Sequence, residues 1–209
     1  MKTPLNLQTC DILLCSGSSR LSRRIKTYNR LLGIKGAAAE ITHVALVAAQ
    51  GAAVFESTTL NTWSGKKGTQ VNLFDRWLDH YPGSVWVRRL NFTRSETFEA
   101  DCVQEMSALV GKPYEHGIPG VLELLLCGIE WRWFRRLFDT QNRLRTAELH
   151  CTEAAAKVLQ RMGLLRRLDN TGSWVCPNKL PPYQWWPGQR VETLLAQAAR
   201  ISEPEPLKI

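Results

Sequence analysis

The sequence predicts an α+β fold, because strand-like and helix-like segments are mixed along the chain and two of the strands can form a hairpin. The chain has 209 residues, of which 44% are hydrophobic and 22% charged, as in an ordinary globular protein with a real core. This length favours one domain. The sequence contains no internal repeat and no low-complexity tract.

The elements of the first half follow from apolar periodicity and turn residues. Leu21, Ile25 and Leu32 recur at helical spacing. The pattern stops at Gly33, a residue type that often ends helices. Short apolar runs bounded by Gly, Ser or Asn indicate strands. We therefore predict, in order, a strand at 11–15, a basic amphipathic helix at 16–33, a loop at 35–40, strands at 41–49 and 52–58, a polar segment with a short strand near Val71, and a strand at 84–90.

The second half is predicted mainly from helix signals. A Ser or Thr followed by Glu, and a later Gly, mark the two ends of a helix at 93–111. Further helices are expected at 120–145, 148–163 and 189–201, with an ordered Pro- and Trp-rich loop at 176–188 and a frayed tail at 202–209. The expected organisation is one domain at 1–188 with a helical insertion at 118–145, then a C-terminal helix and tail at 189–209.

The basic charge limits the classes of partner. The formal net charge is +8, which suits a soluble surface but also an anionic cell-wall polymer or membrane surface. The Lys and Arg residues are scattered and belong to no nucleic-acid-binding motif, so we do not expect DNA or RNA as a partner. The sequence does not indicate an oligomeric state.

The cysteines and the first residues bear on compartment and cofactors. None of the six cysteines has the spacing of a zinc site, so we expect free thiols, no metal and no cofactor. The start "MKTPLNLQTC" lacks the apolar stretch of a secretory signal, and the longest apolar run, at 118–129, is too short to span a bilayer. We expect a cytoplasmic product, or one delivered by a phage or a secretion system.

One histidine stands inside an apolar strand and raises a question of chemistry. His43 and Ala45 lie on one face of the strand at 41–49, because side chains alternate along a strand. If an even number of residues connects it to the next strand, Ala45 lies opposite Glu56, and Glu56 is diagonal to His43 on the same face. A carboxylate there can accept the imidazole N–H and fix its tautomer. An odd number would separate the pair.

A cysteine begins the helix at 151–162. Free N–H groups and the helix dipole at such a position favour an anion and lower the pKa of a thiol. His150 is adjacent in sequence, but neighbouring helical side chains do not face each other. Cys151, His43 and Glu56 therefore form a candidate set of nucleophile, base and orienting group.

Five short motifs occur in a familiar order. They are "CDILLCSG" (10–17), "ITHVALV" (41–47), "VFEST" (54–58), "GKPYEHG" (111–117) and "HCTEAAAKVL" (150–159). Together they resemble the circularly permuted papain-like (NlpC-like, YiiX-type) cysteine amidases, which are related to lecithin:retinol acyltransferase-like proteins. The resemblance covers about residues 9–163. The chain differs from the family pattern at Cys10, Thr42, Ala45, Glu115 and Thr152.

The resemblance implies a permuted papain-like fold, in which a small antiparallel sheet packs against helices that include the nucleophile helix. It implies Cys151 as nucleophile, His43 as base and Glu56 as orienting group. We assign Tyr114, Thr42 and Asp11 to the substrate-binding set; the alternatives are packing for Tyr114 and a turn or cap for Asp11.

The function expected from these residues is that of a cysteine hydrolase that cleaves an amide, ester or thioester through an acyl-enzyme. The substrates suggested by the family are peptidoglycan peptides and acyl-lipids. The aromatic and basic segment at 129–138 is either a membrane or acyl-chain contact or an amphipathic helix packed on the core. The alternative function is a non-catalytic binding or virion-structural protein on the same scaffold.

Overall fold

A computed structural model describes residues 6–59, 66–114, 150–165, 182–187, 191, 195 and 200–208. The strands are β1 (Ile12–Gly17), β2 (His43–Ala48), β3 (Ala53–Thr58), β4 (Gly68–Leu73), β5 (Gly83–Arg88) and β6 (Glu205–Lys208). The helices are α1 (Arg20–Leu31), α2 (Gly36–Glu40), α3 (Phe74–His80), α4 (Glu96–Ser107) and α5 (Cys151–Arg161), and 3₁₀ turns lie at Ala49–Gly51 and Pro182–Trp185.

The strands form one six-stranded sheet in the order β4-β3-β2-β1-β5-β6. Every neighbouring pair is antiparallel. With helices on both faces, the α+β fold class is confirmed. Within the described residues, no helix has the length and apolar character needed to cross a membrane.

The β2–β3 hairpin has the geometry that the sequence analysis required. Ala48 pairs with Ala53, so residues 49–52, an even number, connect the strands. Ala45 consequently lies opposite Glu56. Side chains of residues two apart share a face, so His43 and Glu56 are diagonal neighbours. The predicted register is confirmed.

Helices pack on both faces of the sheet and form a separate core on each. One core joins β1, β2 and β3 to α4 and α5 through Ile12, Leu14, Val44, Leu46, Phe55, Met106, Ala155 and Val158. The other joins the opposite face to α3 through Leu13, Cys15, Ala45, Val47, Val54, Phe74 and Trp77. This alternation of neighbouring strand residues between two cores is that of a sheet buried on both sides. It places the first residues of β2 between α3 and the start of α5.

Three local predictions differ from the structure. Residues 35–40, expected as a loop, include α2, which the side-chain amide of Asn29 ties down by donating to the carbonyl oxygens of Ala39 (3.0 Å) and Ile41 (3.2 Å). Helix α3 was not predicted, because its apolar residues fill less than two turns. The expected frayed tail contains β6, which pairs with β5. The helix expected at 120–145, and therefore the insertion at 118–145, lies outside the described residues.

The last strand is fixed by the partly buried ammonium group of Lys208. The Nζ of Lys208 donates to the carbonyl oxygens of Leu78 (2.8 Å), Asp79 (3.3 Å) and Tyr81 (2.8 Å), at the C-terminal end of α3. A cation is favourable there because the last carbonyl groups of a helix have no intrahelical partner. This contact ties the edge of the sheet to the helix that leads into Tyr81.

Lys208→Met is expected to lower the free energy of unfolding by about 1–2 kcal/mol, because charge-assisted hydrogen bonds are lost while most of the side-chain volume stays. For a protein of this size the melting temperature should fall by roughly 3–6 °C, which differential scanning calorimetry can measure. Lys67→Met, at an exposed residue, is the matched control. Equal melting temperatures for the two variants would contradict the role assigned to Lys208.

Candidate active site

A cavity of about 370 Å³ opens where β2 begins. The start of α1, the end of α3 and the first residue of α5 form its other walls. Five of the six residues predicted for the site line it: His43, Glu56, Cys151, Thr42 and Tyr114. Segments far apart in the sequence therefore meet at one end of the sheet.

The imidazole of His43 is held by Glu56. The Nε2 of His43 lies 2.9 Å from the Oε2 of Glu56, a hydrogen-bonding distance. The two side chains are only 14% and 5% exposed. Because Nε2 donates to the carboxylate, Nδ1 is the ring nitrogen left for another partner.

Two amides from β4, which the sequence analysis missed, complete the carboxylate's hydrogen bonds. The Oε1 of Glu56 accepts from the Nε2 of Gln70 (3.2 Å) and the Nδ2 of Asn72 (3.0 Å). Gln70 lies directly opposite Glu56 in the sheet. The signal that could have revealed them is the alternation of polar and apolar residues at 70–73, which gives the two amides one face of a strand.

The thiol of Cys151 lies beside the same imidazole. Cys151 is the first residue of α5, after the N-cap His150, and is buried. Its sulfur makes a side-chain hydrogen bond with His43 and a backbone hydrogen bond with Val44, the residue after His43 in β2. The start of α5 thus docks directly against the start of β2.

The contacts between His43 and Cys151 shift the pKa values of both groups in the directions that favour an ion pair. Burial acts to lower the pKa of His43, but hydrogen bonds with Cys151 and Glu56 outweigh it and raise that pKa to about 10. Burial likewise acts to raise the pKa of Cys151, but the hydrogen bond and positive charge of His43 lower it below its ordinary value. A thiolate beside an imidazolium is the reactive form of a cysteine nucleophile.

An aromatic residue after α3 forms a wall of the cavity. The ring of Tyr81 stacks on the imidazole of His43, with 6.5 Å between centroids and 19° between planes. Its side chain also hydrogen-bonds to Cys15, which lies opposite His43 in the sheet. Burial raises the pKa of both Tyr81 and Cys15. Tyr81 was not predicted, because nothing in the local sequence places the end of α3 against β2.

The predicted substrate-binding residues have different surroundings. The Oγ1 of Thr42 accepts the backbone N–H of Gly17 (3.0 Å) at the cavity edge. The ring of Tyr114 meets that of His150 edge-on, with centroids 5.4 Å apart. Both Thr42 and Tyr114 line the cavity.

Asp11 has a different place in the fold. Its carboxylate pairs with Arg94 (2.6 Å) and accepts the backbone N–H groups of Gln8 (3.0 Å) and Leu90 (3.2 Å). Asp11 is not one of the residues that line the cavity. The geometry therefore corresponds to the turn role that the sequence analysis gave as the alternative. The aromatic segment at 129–138 and Glu115 lie outside the described residues.

Similarity to known proteins is confined to the level of the fold. No protein-family model and no curated protein matches the chain. A solved structure, that of the metalloprotein yiiX from Escherichia coli O157:H7, is similar with a TM-score of 0.50 and 18% sequence identity. The likeness covers 78% of this chain and 71% of that chain. At this identity it concerns the fold, and at that level it is consistent with the YiiX-type resemblance of the sequence.

Proposed function

We propose that the protein is a cysteine hydrolase of permuted papain-like fold that cleaves amide, ester or thioester bonds. The observation that carries the proposal is the contact of Cys151 with His43, and of His43 with Glu56, in the lining of one cavity. A nucleophile, a base and a group that orients the base are the minimum set for acyl transfer. In this chain the base and the orienting group precede the nucleophile.

The reaction would proceed in two balanced halves. The thiolate of Cys151 attacks the carbonyl carbon, the bond to the leaving amine or alcohol breaks, and the imidazolium of His43 gives that group its proton. Water then attacks the thioester, His43 accepts the proton of the water, and the acid and the thiolate are released. Glu56 keeps the ring oriented throughout. The backbone N–H of Cys151, which has no intrahelical acceptor, is available to the oxyanion.

No step of this proposal passes through a metal. The yiiX protein is described as a metalloprotein, and that description applies to yiiX itself. In the part of this chain that the structure describes, no group of three or more His, Cys, Asp or Glu side chains could hold a metal ion. The described residues therefore do not fit a metal site, whereas they fit thiol chemistry.

The proposed substrates are peptidoglycan peptides or acyl-lipids. The cavity combines the hydroxyls of Ser22 and Thr42 with the apolar surfaces of Leu21, Trp77 and Tyr81. The start of α1 adds a cation, the guanidinium of Arg20, to the lining. This mixture suits a carbonyl group that carries both a polar and an apolar substituent.

The proposal predicts a selectively reactive thiol. Iodoacetamide at pH 7 should alkylate Cys151 roughly tenfold faster than a small thiol of ordinary pKa, while the buried Cys10, Cys15 and Cys102 react slowly. His43→Ala should remove the difference, because the partner that favours the thiolate is gone. Peptide mass spectrometry over a time course gives both rates.

The controls separate the site from general thiol exposure. Cys151→Ser should abolish the fast label, and Cys102→Ala, at a buried cysteine on α4, should leave it intact. If Cys151 in the unmodified sequence reacts no faster than an ordinary thiol, the hydrolase proposal fails. A non-catalytic binding or virion-structural protein then explains the scaffold better.

A further inference from the structure

We propose that Gln70 and Asn72 are positioning residues. Their amides hold Oε1 of Glu56, so that Oε2 remains hydrogen-bonded to His43. This inference rests on the proposed function and names two residues that neither the sequence motifs nor the comparisons assign. Neither residue would touch the substrate. Both would act on the reaction through Glu56 and then His43.

The hydrogen bonds divide between the two carboxylate oxygens. Both amides donate to Oε1, and the Nε2 of His43 donates to Oε2. Two donors from one strand on the same oxygen fix the plane of the carboxylate, since rotation would break both bonds. The oxygen that faces His43 consequently has one orientation, and so does the imidazole.

The sheet register explains why these two residues meet Glu56. Gln70 is paired with Glu56 itself, whereas Asn72 is paired with Val54, two residues earlier on β3. All of these side chains therefore point to the face that carries His43. Gln70, Asn72 and Glu56 are all buried, so water competes little for the hydrogen bonds.

The two amides keep the carboxylate of Glu56 turned towards the imidazole of His43. Without them the carboxylate could rotate, and its Oε2 would stabilise the imidazolium less. The ion pair of His43 and Cys151 would then form only at a higher pH.

Other titratable groups face this cluster and bear on any pH measurement. Cys15 on β1 and Tyr81 after α3 interact electrostatically with Glu56, and both also interact with Cys151. His150 acts on Cys151 from the preceding N-cap position. The variants chosen below leave all of these groups in place.

The test is the pH dependence of iodoacetamide alkylation of Cys151 in the full chain. Gln70→Met and Asn72→Leu remove the donors and keep similar volumes. Each should move the acidic limb of the profile upward by about one pH unit, so that alkylation on that limb is roughly tenfold slower. Thr69→Val is the matched control, because Thr69 is buried on the same strand with its side chain on the opposite face, and its profile should not move.

The outcomes separate this inference from the proposed function. A reactive Cys151 whose acidic limb is the same in Gln70→Met, Asn72→Leu and the parent overturns the positioning role and leaves the hydrolase proposal standing. An unreactive Cys151 in the parent overturns both. If Asn72→Leu does not fold, Asn72→Ser replaces it: the hydroxyl is too short to reach Oε1, so the same shift is expected, and its absence again overturns the role.

Discussion

Cys151→Ala is expected to reduce hydrolysis of a chromogenic acyl ester by about 10⁴-fold or more, with little change in the melting temperature. The nucleophile of an acyl-transfer site acts together with its base, so loss of either costs nearly the whole rate enhancement. The buried sulfur lines a cavity, so its removal leaves only a small additional void. Rates of hydrolysis of p-nitrophenyl esters and of a peptide amide measure the effect.

The matched change is Cys102→Ala, which also removes a buried thiol but from α4. That variant should keep the parent's rate after correction for any unfolded fraction. His43→Ala should resemble Cys151→Ala in rate, because a thiol without its base neither forms the thiolate nor protonates the leaving group. Hydrolysis that survives in Cys151→Ala would show that another group carries the chemistry.

The rate of hydrolysis should follow a broad bell against pH, with its alkaline limb near pH 10. The acidic limb reflects the pKa of Cys151, which His43 lowers against the effect of burial. The alkaline limb reflects the pKa of His43, which Cys151 and Glu56 raise to about 10. The rate should fall about tenfold for each pH unit beyond either limb, and both limbs are properties of the coupled pair.

Alkylation of Cys151 is a second reaction that tests which group titrates on each limb of the pH profile. As pH falls, the thiolate takes up a proton, and both hydrolysis and alkylation slow. As pH rises above about 10, His43 loses its proton, so hydrolysis loses the acid for its leaving group, whereas the thiolate remains and alkylation does not slow. Alkylation should therefore lack the alkaline limb. An alkaline limb near the ordinary histidine value would contradict the ion pair.

Sequence reasoning succeeded where the structure depends on short-range geometry. The placement of Glu56 beside His43 needed only strand alternation and an even turn, and the hairpin register confirms it. The position of Cys151 at a helix start needed only the apolar pattern that follows it. Both inferences rest on periodicities that one sequence displays directly.

The missed features depend on contacts between distant segments. Gln70 and Asn72 reach Glu56 only because β4 pairs with β3 in a register that the polar stretch between the two strands does not predict. Tyr81 reaches His43 only because α3 packs on one face of the sheet. Arg94 reaches the carboxylate of Asp11 only because two segments distant in sequence meet. Such pairings come from tertiary packing, which local propensity does not encode.

The imidazole of His43 and the carboxylate of Glu56 belong to one hairpin, whereas the sulfur of Cys151 lies on a helix much later in the chain. Local hairpins close quickly, and contacts across a long stretch of chain form more slowly. During refolding from denaturant, the imidazole and the carboxylate would therefore be neighbours before the thiol joins them. The time at which fast alkylation of Cys151 appears then reports the docking of α5. The backbone amides of β2 and β3 should become protected from hydrogen exchange before that time.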